Sequence, residues 1–153
     1  MGVEFEGLSM EVTLHKISKE NYERVCDLEV TKEQEDLVAG NTWSLVESLF
    51  EGYESRAIYV DNDVVGFFMW VQETSEKISI WRFMIDHNYQ NKGIGRKALN
   101  LALAEIKLVS SLKKIEICYN PKNPVAKDFY SNFGFNEVGM DEDNEDVLAV
   151  INI

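Results

Sequence analysis

Eleven residues in the second half of the chain, Tyr89-Gln90-Asn91-Lys92-Gly93-Ile94-Gly95-Arg96-Lys97-Ala98-Leu99, combine two glycines and three cations between an apolar run and a helix-forming one. The chemistry open to such a segment is anion binding. A helix begins with unpaired backbone N–H groups and the positive end of its dipole, and glycine lets a phosphate come close to the main chain. Lys92, Arg96 and Lys97 form a positive island in a chain whose 15 basic and 27 acidic residues leave a formal charge of −12. Two other phosphate turns do not fit: a mononucleotide P-loop needs Gly-x-x-x-x-Gly-Lys-Ser/Thr, and a dinucleotide fingerprint needs Gly-x-Gly-x-x-Gly followed by an acid. On the Gly-x-Gly spacing alone, a plain turn flanked by solvated lysines stays open as the other reading.

The second concentration of chemistry is acidic. Asp27, Glu29, Glu33, Glu35 and Asp36 stand within ten residues that contain one base, Lys32. Such a cluster suits a di- or polycation, and Trp43, Trp70 and Trp81 are candidates for cation–π contacts with its ammonium groups. Taken singly, each acid reads as solvated surface. The net charge repels nucleic acid and anionic membranes and accommodates a cationic partner more easily, although it also serves simply to keep a protein in solution. The acidic tip at 141–146 reads as a solvated turn, with a second cation-attracting surface as the other reading.

These residues need elements to hold them. At 153 residues the chain suits one domain with one core, over residues 10–153, with 1–9 as an N-terminal extension. There is no run of about 18 apolar residues and no basic-then-apolar leader, so the sequence reads as soluble and cytoplasmic. Cys26 and Cys118 lie in apolar-periodic segments and read as small buried side chains; with His15 and His87 away from any cysteine pair, no metal site is expected.

Strands are predicted over 11–17, 56–60, 64–71, 78–86 and 114–119, with two short ones at the end, the second over 147–153. Asp61-Asn62-Asp63 has hairpin-turn composition. Helices are predicted from an N-cap at Ser18 to Leu28, from an N-cap at Asn41 to a stop at Gly52 with Leu45, Val46, Leu49 and Phe50 as the apolar face, from the glycine segment to about Leu108, and over 124–132. The result is an α/β domain with a mixed, mostly antiparallel sheet of six to seven strands flanked by about four helices.

The glycine segment, read as Gln90-x-x-Gly93-x-Gly95 between a strand and a long helix, resembles the pyrophosphate turn of the GNAT family of N-acetyltransferases. A second stretch, Asn123 to Phe135 with Ala126, Phe129, Tyr130 and Gly134 in step, resembles that family's other signature. The resemblance covers 10–153. It implies acetyl-CoA as co-substrate without a metal, held by the main chain of Phe83, Met84 and Ile85, by the turn residues Gln90, Asn91, Lys92, Gly93, Ile94, Gly95 and Arg96, and by Asn123, Lys127 and Tyr130. Tyr130 is then the catalytic acid toward the thiolate, with an oxyanion-binding amide at the end of the 78–86 strand.

The stretches Leu28 to Asn41, with Ser44-Leu45 beyond it, and Trp81 to Asp86 resemble bacterial spermine/spermidine and diamine acetyltransferases. This makes a polyamine the expected acceptor, Glu29, Glu33 and Trp81 its binding residues with Glu35 and Asp36 behind them, and Glu29 a candidate general base acting through water. The sequence departs from the animal polyamine enzymes by placing Trp81 and Arg82 where those carry carboxylates. Another amine (an aminoglycoside, an amino acid or a protein N-terminus) and a non-catalytic acetyl-CoA sensor stay open. A homodimer is the family expectation.

Overall fold

The structure is a computed structural model and describes residues 10–32, 40–123 and 125–153. Seven strands, β1 (Val12–Lys16), β2 (Glu54–Val60), β3 (Asp63–Gln72), β4 (Lys77–Ile85), β5 (Lys114–Tyr119), β6 (Asn136–Met140) and β7 (Val147–Asn152), make one sheet in the order β1-β2-β3-β4-β5-β7-β6. Every neighbouring pair is antiparallel except β4 with β5. Four α-helices flank it: α1 (Tyr22–Asp27), α2 (Asn41–Glu51), α3 (Ile94–Ile106) and α4 (Ala126–Ser131). No helix among the described residues is long and apolar enough to cross a membrane.

The central strands are buried almost throughout, which explains their near-continuous runs of apolar residues in place of clean alternation. On one face Phe68, Trp70, Ile78, Ile80 and Ile115 meet Ile94, Ala98, Leu99, Ala102 and Ile106 of α3. On the other, Ala57, Phe67, Met69 and Met84 close over Val25 of α1. The β2–β3 turn forms at 61–62 as its composition predicts, with Asp61 at φ 53°.

Several local expectations are corrected. Ser18 does not cap α1; its carbonyl accepts from Asn21 and Tyr22 in a preceding turn, and the helix starts at Tyr22. Asn41 is inside α2, with Gly40 in the cap position. Its buried amide donates to the Val25 carbonyl at 2.9 Å, so its polar group serves a tertiary contact. The face assigned to α2 is only partly right: Leu45 is half-buried against the core cluster that contains Val25, but Asn41, Ser44 and Ser48 are the buried residues, whereas Val46 is exposed and Leu49 and Phe50 are 81% and 85% exposed. Small polar side chains let this helix lie close to α1 and the sheet, and Val46, Leu49 and Phe50 are left outside. Helix α2 does stop at Gly52, in the left-handed conformation.

Gly66 of β3 is a close-approach position, because a Cβ there would meet the Met84 carbonyl at 2.6 Å and the Ile85 side chain at 2.9 Å. Overpacking against backbone cannot be relieved by a rotamer change. Gly66→Ala is expected to lower unfolding stability by about 2 kcal/mol, measured by urea denaturation; an unchanged midpoint would contradict the packing described.

Candidate active site

The site arises where the one parallel pair ends. Strand β4 pairs with β5 only from Lys77↔Lys114 to Ile80↔Ile117, although β4 runs on to Ile85 and β5 to Tyr119. The register of β3 with β4 shifts at the same level, from Met69↔Arg82 to Trp70↔Ile80, leaving Trp81 as the extra residue. Such a bulge twists the strand and redirects its side chains. Beyond it the β5-facing edge of β4 has no strand partner, and its backbone groups are open to another extended chain.

A cavity of about 580 Å³ occupies this split. One half is lined by Phe83, Met84, Ile85, Gln90, Asn91, Gly93, Gly95, Arg96, Asn123 and Phe129; the opposite half, where the acceptor was expected, by Val30, Trp43, Ser44, Glu47, Trp81 and Arg82. Tyr130, Tyr119, Cys118 and Asp146 also line it.

The turn leading into α3 leaves its backbone amides uncapped. Asn91 and Gly93 have φ of 62° and 81°, the left-handed region that Gly adopts freely and Asn tolerates best among other residues. The Gln90 side chain donates to the Ile85 carbonyl at 2.9 Å, bracing the turn against the end of β4. No side chain caps α3 and no acid stands in its first turn, so its first amides keep their capacity for an anionic ligand. Arg96 reaches this part of the cavity, its guanidinium 5.8 Å from the Phe133 ring centre. Lys92 is exposed over Tyr89 and outside the lining. Ile94 is buried in the core beneath the turn. Lys127 is also exposed, 3.7 Å from Glu137 in an ion pair, and does not line the cavity.

Helix α4 delivers Tyr130. Asn123 accepts from the Val125 N–H at 3.2 Å, forming the turn that opens the helix. Tyr130 stacks on Tyr119 with ring centres 5.7 Å apart and meets Phe129 and Phe135 edge-on. Its hydroxyl has no hydrogen-bond partner among the described residues. Burial pushes its pKa up and the Arg82 charge opposes that rise, so the phenol stays protonated across the neutral range. Tyr119, which donates to Glu137 at 2.8 Å, is pushed by burial to about 12.

The acceptor half differs from expectation. The Glu29 main chain is fixed beside the site, its N–H donating to Asp86 at 2.8 Å and its carbonyl accepting from His87 at 2.7 Å. Its side chain is exposed, and Val30 is the neighbour that lines the cavity. Glu33, Glu35 and Asp36 lie outside the described residues. The acids that do line the cavity are Glu47 and Asp146. Trp81 is in the lining, stacked 6.4 Å from Tyr53, and Trp43 is there too, 71% exposed. Trp70 is excluded as an acceptor contact: it is core, stacked on Phe68, with Arg56 already 4.7 Å from its ring centre.

Sequence reasoning noted Arg82 only as a departure from the animal polyamine enzymes and gave it no role; it is only 7% exposed. It donates to Asn41 at 3.0 Å, its Nε–H has no partner, and no carboxylate among the described residues pairs with it. Burial lowers its pKa to about 10, which leaves it charged at neutral pH. A charge inside the apolar run Ile78 to Ile85 was the available signal.

This fold and cavity can be set beside known proteins. The model of the acetyltransferase (GNAT) family matches residues 21–135. The chain belongs to the GNAT family. A curated relative, the spermine/spermidine N(1)-acetyltransferase of Bacillus subtilis (strain 168), is 26% identical over 149 residues, covering 92% of this chain and 98% of that protein. Among solved structures, the PaiA N-acetyltransferase of Thermoplasma acidophilum in complex with coenzyme A aligns at a TM-score of 0.70 and 18% identity, covering 94% and 100% of the two chains. A GNAT acetyltransferase of Elizabethkingia anophelis with acetyl-CoA bound aligns at 0.69 and 15%, covering 93% and 98%. The fold is therefore the GNAT fold, and the chain is an acetyltransferase of this family.

Within this GNAT site Cys118 is held as an inert thiol, since burial, with Asp146 and Asp141 adding to it, raises its pKa to about 12. At pH 8 only about one thiol in ten thousand is then ionised. In a Cys26→Ser variant, alkylation of Cys118 by iodoacetamide at pH 8 is expected to be far slower than that of a free thiol; equal rates by mass spectrometry would contradict the assignment.

Proposed function

We propose that the protein transfers the acetyl group of acetyl-CoA directly to a primary amine of a polyamine: spermidine, spermine or a diamine. The observation that carries the reading is a cavity with an uncapped helix start and a free strand edge at one end, and acids with exposed tryptophans at the other. The name of the Bacillus subtilis relative supports the same acceptor class.

In this reading the free edge of Phe83, Met84 and Ile85 binds the extended pantetheine arm as an added strand, and the amides from Asn91 to Arg96 take the pyrophosphate. Asn123 contacts the pantetheine region. Glu47, Asp146, Trp43 and Trp81 hold the remote ammonium groups of the acceptor. The exposed Glu29 adds to the potential that draws a polycation to the mouth, Glu33 is proposed for acceptor binding on its charge alone, and a role for Glu29 as base requires a chain of water.

A primary ammonium has a pKa near 10.4, so at pH 7 only about one amine in 2,500 is free. The ammonium first loses one proton to water. The nitrogen lone pair then forms the C–N bond, the C–S bond breaks, and the second N–H proton leaves as the amide forms. Tyr130 gives its phenolic proton to the thiolate and regains one from water. Overall, R–NH₃⁺ and the thioester become the acetamide, the thiol and one H⁺. An amide on β4 near the bulge stabilises the oxyanion.

An acceptor screen following thiol release tests the assignment. Spermidine, spermine and diamines are expected to turn over ahead of aminoglycosides, amino acids and peptide N-termini; turnover of one of these without polyamine turnover would contradict it, and coenzyme A binding with no amine turned over would indicate a sensor. Tyr130→Phe is expected to lower kcat by about 10²- to 10³-fold while leaving coenzyme A affinity, measured by calorimetry, nearly unchanged. Full activity in that variant would remove Tyr130 from the proton-transfer role.

A further inference from the structure

The acceptor half of the cavity contains a charge of unexpected sign. A polycation site is expected to be acidic, yet its deepest ionised group is Arg82, buried and without a carboxylate partner among the described residues. Its guanidinium sits between Asn41 at the start of α2 and the cavity it shares with Tyr130. The start of α2 adds to the same sign, because it has no capping side chain and no acid in its first turn. Glu47 stands six residues along α2 from Asn41, about 9 Å along the helix axis.

We infer that Arg82 sets the protonation state of the reacting amine: its buried positive charge disfavours an ammonium beside the thioester and so delivers the nitrogen as the free base. This rests on acetyl transfer to a primary amine and deepens it, since the cavity then sorts the nitrogens of one substrate. The nitrogen next to Arg82 is neutral and nucleophilic, whereas those nearer Glu47 and Asp146 remain charged and bound. A like charge lowers an amine pKa by the same Coulombic argument by which an opposite charge raises it. No carboxylate base is then needed at the reacting nitrogen, and the proton leaves to solvent before the C–N bond forms. Once the C–N bond has formed, the same charge favours the oxyanion and the thiolate.

The other ionisable groups lining the cavity are Glu47 from α2, Cys118 and Tyr119 from β5, Tyr130 from α4, Asp146 before β7 and Arg96 from α3. Cys118 and Tyr119 titrate near 12 and Tyr130 is raised further. The amine is therefore the group expected to set the ascending limb of the kcat profile between pH 7 and 10.

The test combines that kcat profile with a direct titration. Spermidine labelled with ¹³C beside its primary amines is titrated by NMR in the dead-end complex with coenzyme A. The wild type is expected to show one bound amine with a pKa below its free value; a value at or above the free one overturns the inference, with no variant needed. Arg82→Gln keeps a donor toward Asn41 and is expected to move both the kcat limb and the bound pKa up by about one to two pH units. Arg82→Lys is expected to stay close to wild type, and Asn41→Ala, which removes the hydrogen bond but not the charge, to leave the limb in place even where kcat falls. An unmoved limb in Arg82→Gln, or an equal shift in Asn41→Ala, overturns the inference. If spermidine neither binds nor reacts, the polyamine reading fails, and the same titration on the best primary amine from the screen still decides the role of Arg82.

Discussion

The structure depends on the loss of pairing between β4 and β5 after Ile80 and Ile117. Every other junction in the sheet is antiparallel and satisfies its backbone locally. Only here does a central strand run on for five residues with one edge unpaired. An edge in the middle of a sheet is costly unless something completes it, and in this family that something is proposed to be the substrate. The bulge at Trp81, the brace from Gln90 to Ile85 and the anchoring of Glu29 on Asp86 all act on the rim of this split.

The two faces of the sheet contribute unequal halves of the site. Helix α3 and α4, packed on the larger core, bring the uncapped helix start, Asn123 and Tyr130 to one wall. Helix α2, on the other face, brings Trp43, Ser44 and Glu47 to the opposite wall. Its fully buried residues are polar and small, and the helix is positioned by hydrogen bonds from Asn41 and to it from Arg82 together with the packing of Leu45 on the core. That arrangement leaves Val46, Leu49 and Phe50 outside.

The turn was legible because its chemistry is local: Asn91, Gly93 and Gly95 act through backbone conformation that the spacing itself specifies, and the Gln90 side chain braces it on Ile85 five residues away. Strand positions were legible for a similar reason, since β-branched and aromatic runs bounded by turn residues leave few alternatives. What failed depended on tertiary contact. Asn41 looks like a cap and proves to be a buried tie between α1, α2 and β4. Phe50 looks like core because helical spacing identifies a face without saying which way it points. Glu29 looked right by charge density, but only the fold shows that Val30 faces the cavity and that Glu47, a lone acid in sequence, lines it. Arg82 was visible as a charge in an apolar strand and as a departure from the animal polyamine enzymes; its lack of a carboxylate partner among the described residues is a property of the folded chain.

The central claim is that the free edge of β4 and the start of α3 together receive the donor. Amide hydrogen exchange with and without coenzyme A measures those groups directly. The account predicts slowed exchange in the segments 81–85 and 91–96, with little change in β1 and β2. Saturation with coenzyme A that leaves both segments exchanging at their free rates would contradict it.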